Sequence, residues 1–249
     1  MTRTTWTRLW SPGAPVGDAL LAARMRASLA IWRPAADEDR RAKIAIATLA
    51  PRFTMMGLAR LRALVAHGRT IHRDHIAGCI VECGTWRGGS LALVDWTMRD
   101  QHDPRKLWAF DSFEGLPPPG ERDPHAAHRS FHEGWCAARP DEVRRAVLAT
   151  GGDPARLSIV QGWLSDTLPR ADTGPIALLT IDVDWYDSVR CVLHNLYDRV
   201  AEGGVIHFDD YGCWHGCDTA VHEFLHDRGA SSDGLRRVGR HGAWMRKPR

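Results

Sequence analysis

The hydrophobic pattern divides the chain near residue 70. Before that point apolar residues recur at helical spacing: Leu20, Leu21, Met25, Leu29 and Ile31 within Asp18–Trp32, a run over Glu38–Leu49, and Leu58, Leu61 and Leu64 within Met56–His67. Pro34 ends the first helix, and residues 1–17, with Trp6, Trp10, Pro12 and Pro15, read as an irregular arm. Beyond residue 70, strand-length apolar runs take over at Gly78–Cys83, Leu107–Phe110, Leu157–Val160, Ile176–Ile181 and Gly204–Phe208. Helical stretches over Leu91–Arg99, Asp141–Ala149, Ser188–Val200 and Cys217–Arg228 alternate with them, and Leu235–Arg246 reads as a hairpin around Gly239–Gly242. This alternation predicts an α/β fold with a parallel sheet over residues 71–249. Residues 1–70 precede the first strand and read as an N-terminal helical cap or a dimer surface.

Two of the strands end in acids. Leu178–Ile181 breaks into Asp182, Asp184 and Asp187, and Phe208 is followed by Asp209 and Asp210. In an extended chain residues two apart share a face, so Asp182 and Asp184 are expected to point the same way. Their place is the carboxyl edge of the sheet, where open α/β folds do their chemistry. Asp182, Asp209 and Asp210 together would repel one another without a cation. All-oxygen ligands suit a hard divalent ion, most simply Mg²⁺. Such an ion lowers the pKa of a substrate hydroxyl and fixes its position. Asp184 is then the candidate general base, with His215, shortly after Asp210, as a second. Asp187 reads as part of the next helix, and His207, inside its strand, as a core residue.

The first strand and its turn read Glu82-Cys-Gly-Thr-Trp-Arg-Gly-Gly-Ser90. Gly84, Gly88 and Gly89 let a backbone approach a ligand but lack the spacing of a dinucleotide fingerprint. Glu82 would repel a pyrophosphate and suits a cationic ligand. S-adenosylmethionine (SAM), with its sulfonium and α-amino groups, is such a ligand. Asp111, at the end of the second strand, can accept both ribose hydroxyls of a nucleoside cofactor. Gly162 and Trp163 follow the third strand, where an aromatic could flank adenine, although a core Trp fits as well in a chain with eleven tryptophans. A closing antiparallel hairpin suits a methyltransferase-like sheet better than a dehydrogenase.

Composition narrows the partners. A net charge of +3 over 249 residues is too near balance to argue for nucleic acid or an anionic membrane, and the Arg-rich tail (Arg236, Arg237, Arg240, Arg246, Arg249) reads as exposed hairpin charge. The start of the chain shows neither a signal peptide nor an apolar span, so the chain reads as cytoplasmic with reduced thiols. Cys213, Cys217 and His222 lack the second Cys pair of a structural zinc site. The segment Pro117–Arg139, with His125, His128, His132 and Trp135, is too long for a simple connection and reads as a lid or as a disordered loop.

Five ordered motifs carry a resemblance. They are Val81–Ser90, Phe110-Asp-Ser-Phe-Glu-Gly-Leu-Pro117, Gly162-Trp-Leu-Ser-Asp-Thr-Leu-Pro169, Ile181-Asp-Val-Asp-Trp-Tyr-Asp-Ser188, and Phe208-Asp-Asp-Tyr-Gly212 with Ala220-Val221 after it. Together, from about Thr54 to Phe224, the chain resembles the macrocin O-methyltransferase (TylF/MycF) family of SAM- and Mg²⁺-dependent sugar O-methyltransferases. The resemblance implies a class I SAM-methyltransferase (Rossmann-like) sheet with a terminal antiparallel hairpin. It implies Asp182, Asp209 and Asp210 as metal ligands and Asp184 as base. Around SAM it implies Glu82, Gly84, Thr85, Ser90, Asp111, Ser112 and Asp182, with Thr54 and Met55. The acceptor would be a hydroxyl on a natural-product glycoside and the enzyme a homodimer. Where the family carries Asp-Gly-Asp, this chain reads Asp182-Val183-Asp184. A phenol, catechol or amine acceptor, and a non-catalytic SAM-binding protein, are the competing readings.

Overall fold

The computed structural model describes residues 15–50 and 52–248. The arm expected over residues 1–17, with Trp6, Trp10 and Pro12, lies outside these as far as residue 14. Pro15 instead opens the first helix.

Three helices come first: α1 (Pro15–Ile31), α2 (Asp37–Leu49) and α3 (Leu58–Arg73). The third runs past His67, its expected end. Gly68 does not break it, because this glycine faces Thr97 so closely that a Cβ would lie 2.8 Å from that side chain. Beyond it, Ile71 is fully buried.

The α/β unit follows as β1 (Cys79–Cys83), α4 (Gly89–Asp100), β2 (Leu107–Asp111), α5 (His125–Ser130), α6 (Pro140–Ala149), β3 (Leu157–Gln161) and α7 (Leu164–Thr167). It continues with β4 (Ile176–Ile181), α8 (Tyr186–Leu196), β5 (Val200–Phe208), α9 (His215–Asp227), β6 (Arg236–Arg237) and β7 (Ala243–Arg246). The strands form one seven-stranded sheet in the order β3-β2-β1-β4-β5-β7-β6. The first five run parallel, and β7 lies antiparallel to β5. The expected hairpin is therefore present. The expected helix 188–200 stops short, because Val200 already belongs to β5. Lys247 exchanges backbone hydrogen bonds with Gly203 and Gly204 (3.0 and 2.9 Å), which extends pairing to that end of the strand.

Alternation along the strands gives the sheet two apolar faces. Ile80, Leu107, Ala109, Leu178 and Val205 join one core with Leu29, Ile46, Leu49, Leu61 and Leu64 of the first three helices. Val81, Phe110, Leu179, Ile181, Ile206 and Phe208 pack on α8 and α9 through Val189, Val192 and Phe224. The N-terminal helices are thus one layer of the core: among the described residues of the expected cap, α3 packs on the sheet and α1 and α2 pack against helices beside it. No helix among the described residues is long and apolar enough to cross a membrane.

The strand order reverses between β1 and β4, which opens the crevice where open sheets bind ligands. Gly84 sits at that point with φ +79°, and a Cβ there would overlap the Asp182 carbonyl oxygen. Both the left-handed backbone and the close approach demand glycine. Gly84→Ala is expected to cost more than about 3 kcal/mol in urea denaturation, whereas Gly234→Ala stays within about 0.5 kcal/mol of the parent. At Gly234 a Cβ meets nothing within 4 Å. Equal costs at the two positions would contradict this account of Gly84.

Candidate active site

Strand register builds the acidic cluster. Cys83, Ile181 and Phe208 lie side by side at the last paired position of β1, β4 and β5. The ladder goes one residue further, with the Asp182 amide donating to the Cys83 carbonyl at 3.0 Å and the Asp209 amide to the Ile181 carbonyl at 2.9 Å. Asp182 and Asp209 thereby fall on the sheet face covered by α3, the face that also carries Glu82 and His207. Asp210 follows as the chain leaves the sheet. One carboxylate oxygen from each of Asp182, Asp209 and Asp210 lies within 4.8 Å of the others. Asp184 joins them by a different route from the one expected. β4 ends at Ile181, and Asp184 has φ +55°, so a turn rather than strand alternation brings it near Asp182. Its amide donates to Asp210 Oδ2 at 2.9 Å, which fixes that turn to the second acid.

Burial raises the Asp182 carboxyl well above the usual range, with the charges of Asp209 and Asp210 adding to it. Burial, then Asp184 and Asp209, do the same to Asp210. Asp184 is pushed up to about 7, chiefly by burial, against the pull of the Trp214 indole N–H. Asp209 behaves oppositely: burial would raise it, but Arg60 and then His207 outweigh that and hold it low. Arg60, from α3, donates through Nη1 to Asp209 Oδ2 and, at 3.2 Å, to the Asp209 carbonyl. The remaining oxygen, Oδ1, is buried without a hydrogen bond, 3.6 Å from His207 Nε2. Three converging carboxylates, two buried and Asp182 half-buried, with an orphaned oxygen and mutual repulsion, fit a hard divalent cation.

The second half of the site lies across β1. Glu82 is buried and neither of its oxygens has a hydrogen-bond partner in the protein. Burial pushes its carboxyl up to about 8, and Ser90 and the Leu91 amide pull it back only in part. Such a group suits a ligand that brings its own donors. Asp111 accepts the Trp86 amide on Oδ2 and the Phe113 amide on Oδ1, both at 2.7 Å, which ties the two βα loops together. Gly84, Thr85 and Ser90 line the turn between β1 and α4. Thr54 is buried beside it, its hydroxyl accepting the Met56 amide at 3.1 Å, and the Phe53 carbonyl accepts the Gly89 amide at 2.9 Å. Met55 lies in this same segment. Ser112 has a local task, since its hydroxyl donates to the Gly115 carbonyl and accepts the Glu114 amide. The Gly162 amide donates to the Asp111 carbonyl at 3.0 Å, and Trp163 next to it is 37% exposed.

The segment 117–139 is ordered, so the disordered-loop alternative falls away. Trp135 packs on Trp185 and Trp214 with ring centroids 6.3 and 6.5 Å away, and Trp185 donates its indole N–H to the Pro117 carbonyl at 2.8 Å. Asp123 accepts the Tyr186 amide at 3.0 Å and so caps α8, while Asp187 sits inside that helix. Through these contacts the segment packs beside the acidic cluster. His215 stands exposed at the start of α9. Cys213, Cys217 and His222 do not converge: Cys213 is exposed, Cys217 lies in the core, and His222 pairs with the Tyr211 hydroxyl at 2.7 Å. His207 is fully buried in β5, its ring tilted against that of His67 at a centroid distance of 5.5 Å, and burial pushes the His67 pKa down to about 3. Sequence reasoning did not single out Arg60 or Trp214 for this site, and the adjacent Arg62 shows why: it stacks on Trp32 instead.

Residues 4–247 match the family described as Macrocin-O-methyltransferase (TylF). The chain belongs to the macrocin O-methyltransferase family. It is 38% identical over 176 residues to the 8-demethyl-8-(2,3-dimethoxy-alpha-L-rhamnosyl)-tetracenomycin-C 4'-O-methyltransferase of Streptomyces olivaceus, covering 69% of this chain and 67% of that protein. It is 32% identical over 201 residues to the mycinamicin III 3''-O-methyltransferase of Micromonospora griseorubida, covering 78% of each. The solved structure of the O-methyltransferase NovP superposes with a TM-score of 0.74 at 29% identity, over 93% of this chain and 98% of that one. The expected class I methyltransferase fold is thereby established for this O-methyltransferase.

Because the Glu82 pKa of about 8 lies above its ordinary value, the fold favours the neutral carboxyl. The stability this confers is complete below the ordinary glutamate range and is lost as pH rises through about 8. In ligand-free protein, Glu82→Gln should therefore gain on the parent as pH rises from 5 to 9. Urea denaturation at several pH values checks this, and parallel pH dependence of the two proteins would contradict it.

Proposed function

We propose that this methyltransferase moves the methyl group of SAM to a hydroxyl on a sugar of a natural-product glycoside, with a divalent cation at the acidic cluster. The observation that carries the reading is the convergence of Asp182, Asp209 and Asp210 within 4.8 Å, across the crevice from the unpartnered Glu82. The name of the Streptomyces olivaceus relative, a 4'-O-methyltransferase of a rhamnosyl tetracenomycin, favours a sugar hydroxyl, and that of the Micromonospora relative, a mycinamicin III 3''-O-methyltransferase, favours a natural-product acceptor.

In this reading Glu82 receives the cationic amino-acid end of SAM, Asp111 the ribose hydroxyls, and the exposed face of Trp163 the adenine. Gly84, Thr85, Ser90 and Ser112, with Thr54 and Met55, shape the remaining contacts. Asp182, Asp209 and Asp210 would hold Mg²⁺, which when bound supplies a positive field that lowers the pKa of the acceptor hydroxyl. Asp184 takes the hydroxyl proton as general base. The acceptor oxygen attacks the methyl carbon in line, a carbon–oxygen bond forms, the carbon–sulfur bond breaks, and S-adenosylhomocysteine leaves. Pre-alignment of the two substrates carries much of the rate. The segment with Trp135 excludes water from the side of the base. The reading includes a homodimer, for which Ile31 and Ile44, 78% and 68% exposed on the first two helices, offer apolar surface.

Asp209→Asn should lower kcat/KM by more than about 100-fold and remove the dependence on Mg²⁺, and Asp184→Asn should lower kcat by about 10²–10⁴ while leaving SAM binding intact. Labelled SAM offered with glycosylated scaffolds and their aglycones reads both. Activity that survives EDTA and Asp209→Asn would reject the cation, and methylation of aglycones alone would reject the sugar.

A further inference from the structure

The proposed chemistry leaves one charged side chain at the site without a task. Arg60 reaches the acidic cluster from α3, with its side chain only 18% exposed. It bonds Asp209 twice, through Oδ2 and through the main-chain carbonyl, and leaves Oδ1 without a partner. It has little room to leave. A Cβ on Gly242 of the hairpin would lie 3.3 Å from Arg60 Cδ, so bare backbone forms one wall of its slot. Leu61 and Leu64, fully buried one residue and one turn further on, hold the helix that carries it. A guanidinium remains charged at any physiological pH. Arg60 is therefore a fixed positive charge beside four carboxylates, those of Asp182, Asp184, Asp209 and Asp210.

Resting on the cation reading above, we propose that Arg60 is a positioning residue and resident counter-charge: it fixes Asp209 through Oδ2, leaves Oδ1 to the divalent cation, and weakens the cation's hold. The physical basis is that one carboxylate serves two positive groups. Before the cation binds, Arg60 offsets repulsion among the acids. Afterwards, it stands within the same low-dielectric pocket as the cation and opposes it by Coulomb repulsion. The arrangement keeps the pocket folded without metal and makes the metal exchangeable. It also ties the N-terminal layer to the catalytic edge of the sheet, since α3 carries the charge.

The test is calorimetric titration of MgCl₂ into the metal-free 249-residue chain, without SAM or acceptor, for the parent, Arg60→Met, Arg60→Gln and Arg60→Lys. The two uncharged variants should bind Mg²⁺ roughly tenfold or more tightly, and Arg60→Lys within about threefold of the parent, because charge sets the effect. Their metal-free melting temperatures should fall, and Mg²⁺ should raise them by more than it raises the parent's. Mere structural damage predicts the opposite sign in affinity. Unchanged or weaker Mg²⁺ binding in both uncharged variants overturns the proposal, as does equally tightened binding in Arg60→Lys. If the parent binds no divalent cation, the cation reading falls and this inference with it. If the parent binds and the variants do not differ from it, this inference alone falls.

Discussion

The structure depends on the mutual repulsion of carboxylates gathered at the end of two neighbouring parallel strands. β4 and β5 run in register, so Asp182 and Asp209 arrive side by side one residue past the last paired position. Asp210 and Asp184 are then drawn in by the hydrogen bond between the Asp184 amide and the Asp210 carboxylate. Four acids at one point, Asp209 and Asp210 buried and Asp182 and Asp184 half-buried, is an arrangement that the apolar cores on either face cannot by themselves sustain. The surroundings are organised to answer it, through Arg60 on Asp209, His207 behind it, and the Trp214 indole facing Asp184.

In the proposed reading the same sheet edge holds two kinds of ligand apart. On the β1–β2 side, Glu82 is buried with neither oxygen hydrogen-bonded, and Asp111 ties the two βα loops by accepting one amide from each. On the β4–β5 side lies the acidic cluster. Gly84 is the joint between them, and its missing Cβ lets the Asp182 carbonyl come close enough for both halves to share one crevice. The layer of α1–α3 completes the geometry from above: Phe53 and Thr54 rest on the start of α4 near the cofactor side, and Arg60 enters the cation side. A SAM methyl group and an acceptor hydroxyl would meet over this joint.

Much of this was legible along the chain. Acids directly after apolar runs, as at Ile181-Asp182 and Phe208-Asp209, mark strand ends by pattern alone, and Glu82 and Asp111 follow the same logic. The family motifs then assign roles to them. What was not legible depends on helix phase and on distant pairings. Arg60 and Arg62 stand two apart on one amphipathic helix, and nothing local decides that Arg60 faces Asp209 while Arg62 stacks on Trp32. The order of the 117–139 segment comes from Asp123 capping α8 and from Trp135 meeting Trp185 and Trp214, contacts between remote positions. Asp184 was rightly associated with Asp182 but for the wrong reason, since a left-handed turn rather than strand alternation brings it in.

The central claim, that three strand-end carboxylates form a cation site facing a SAM pocket, is tested most directly by anomalous diffraction from crystals grown with Mn²⁺ and S-adenosylhomocysteine. The account predicts one strong manganese peak bounded by Asp182, Asp209 and Asp210, with the nucleoside lying over Glu82 and Asp111. A peak bound elsewhere, or nucleoside density with no manganese at the three acids, would contradict it.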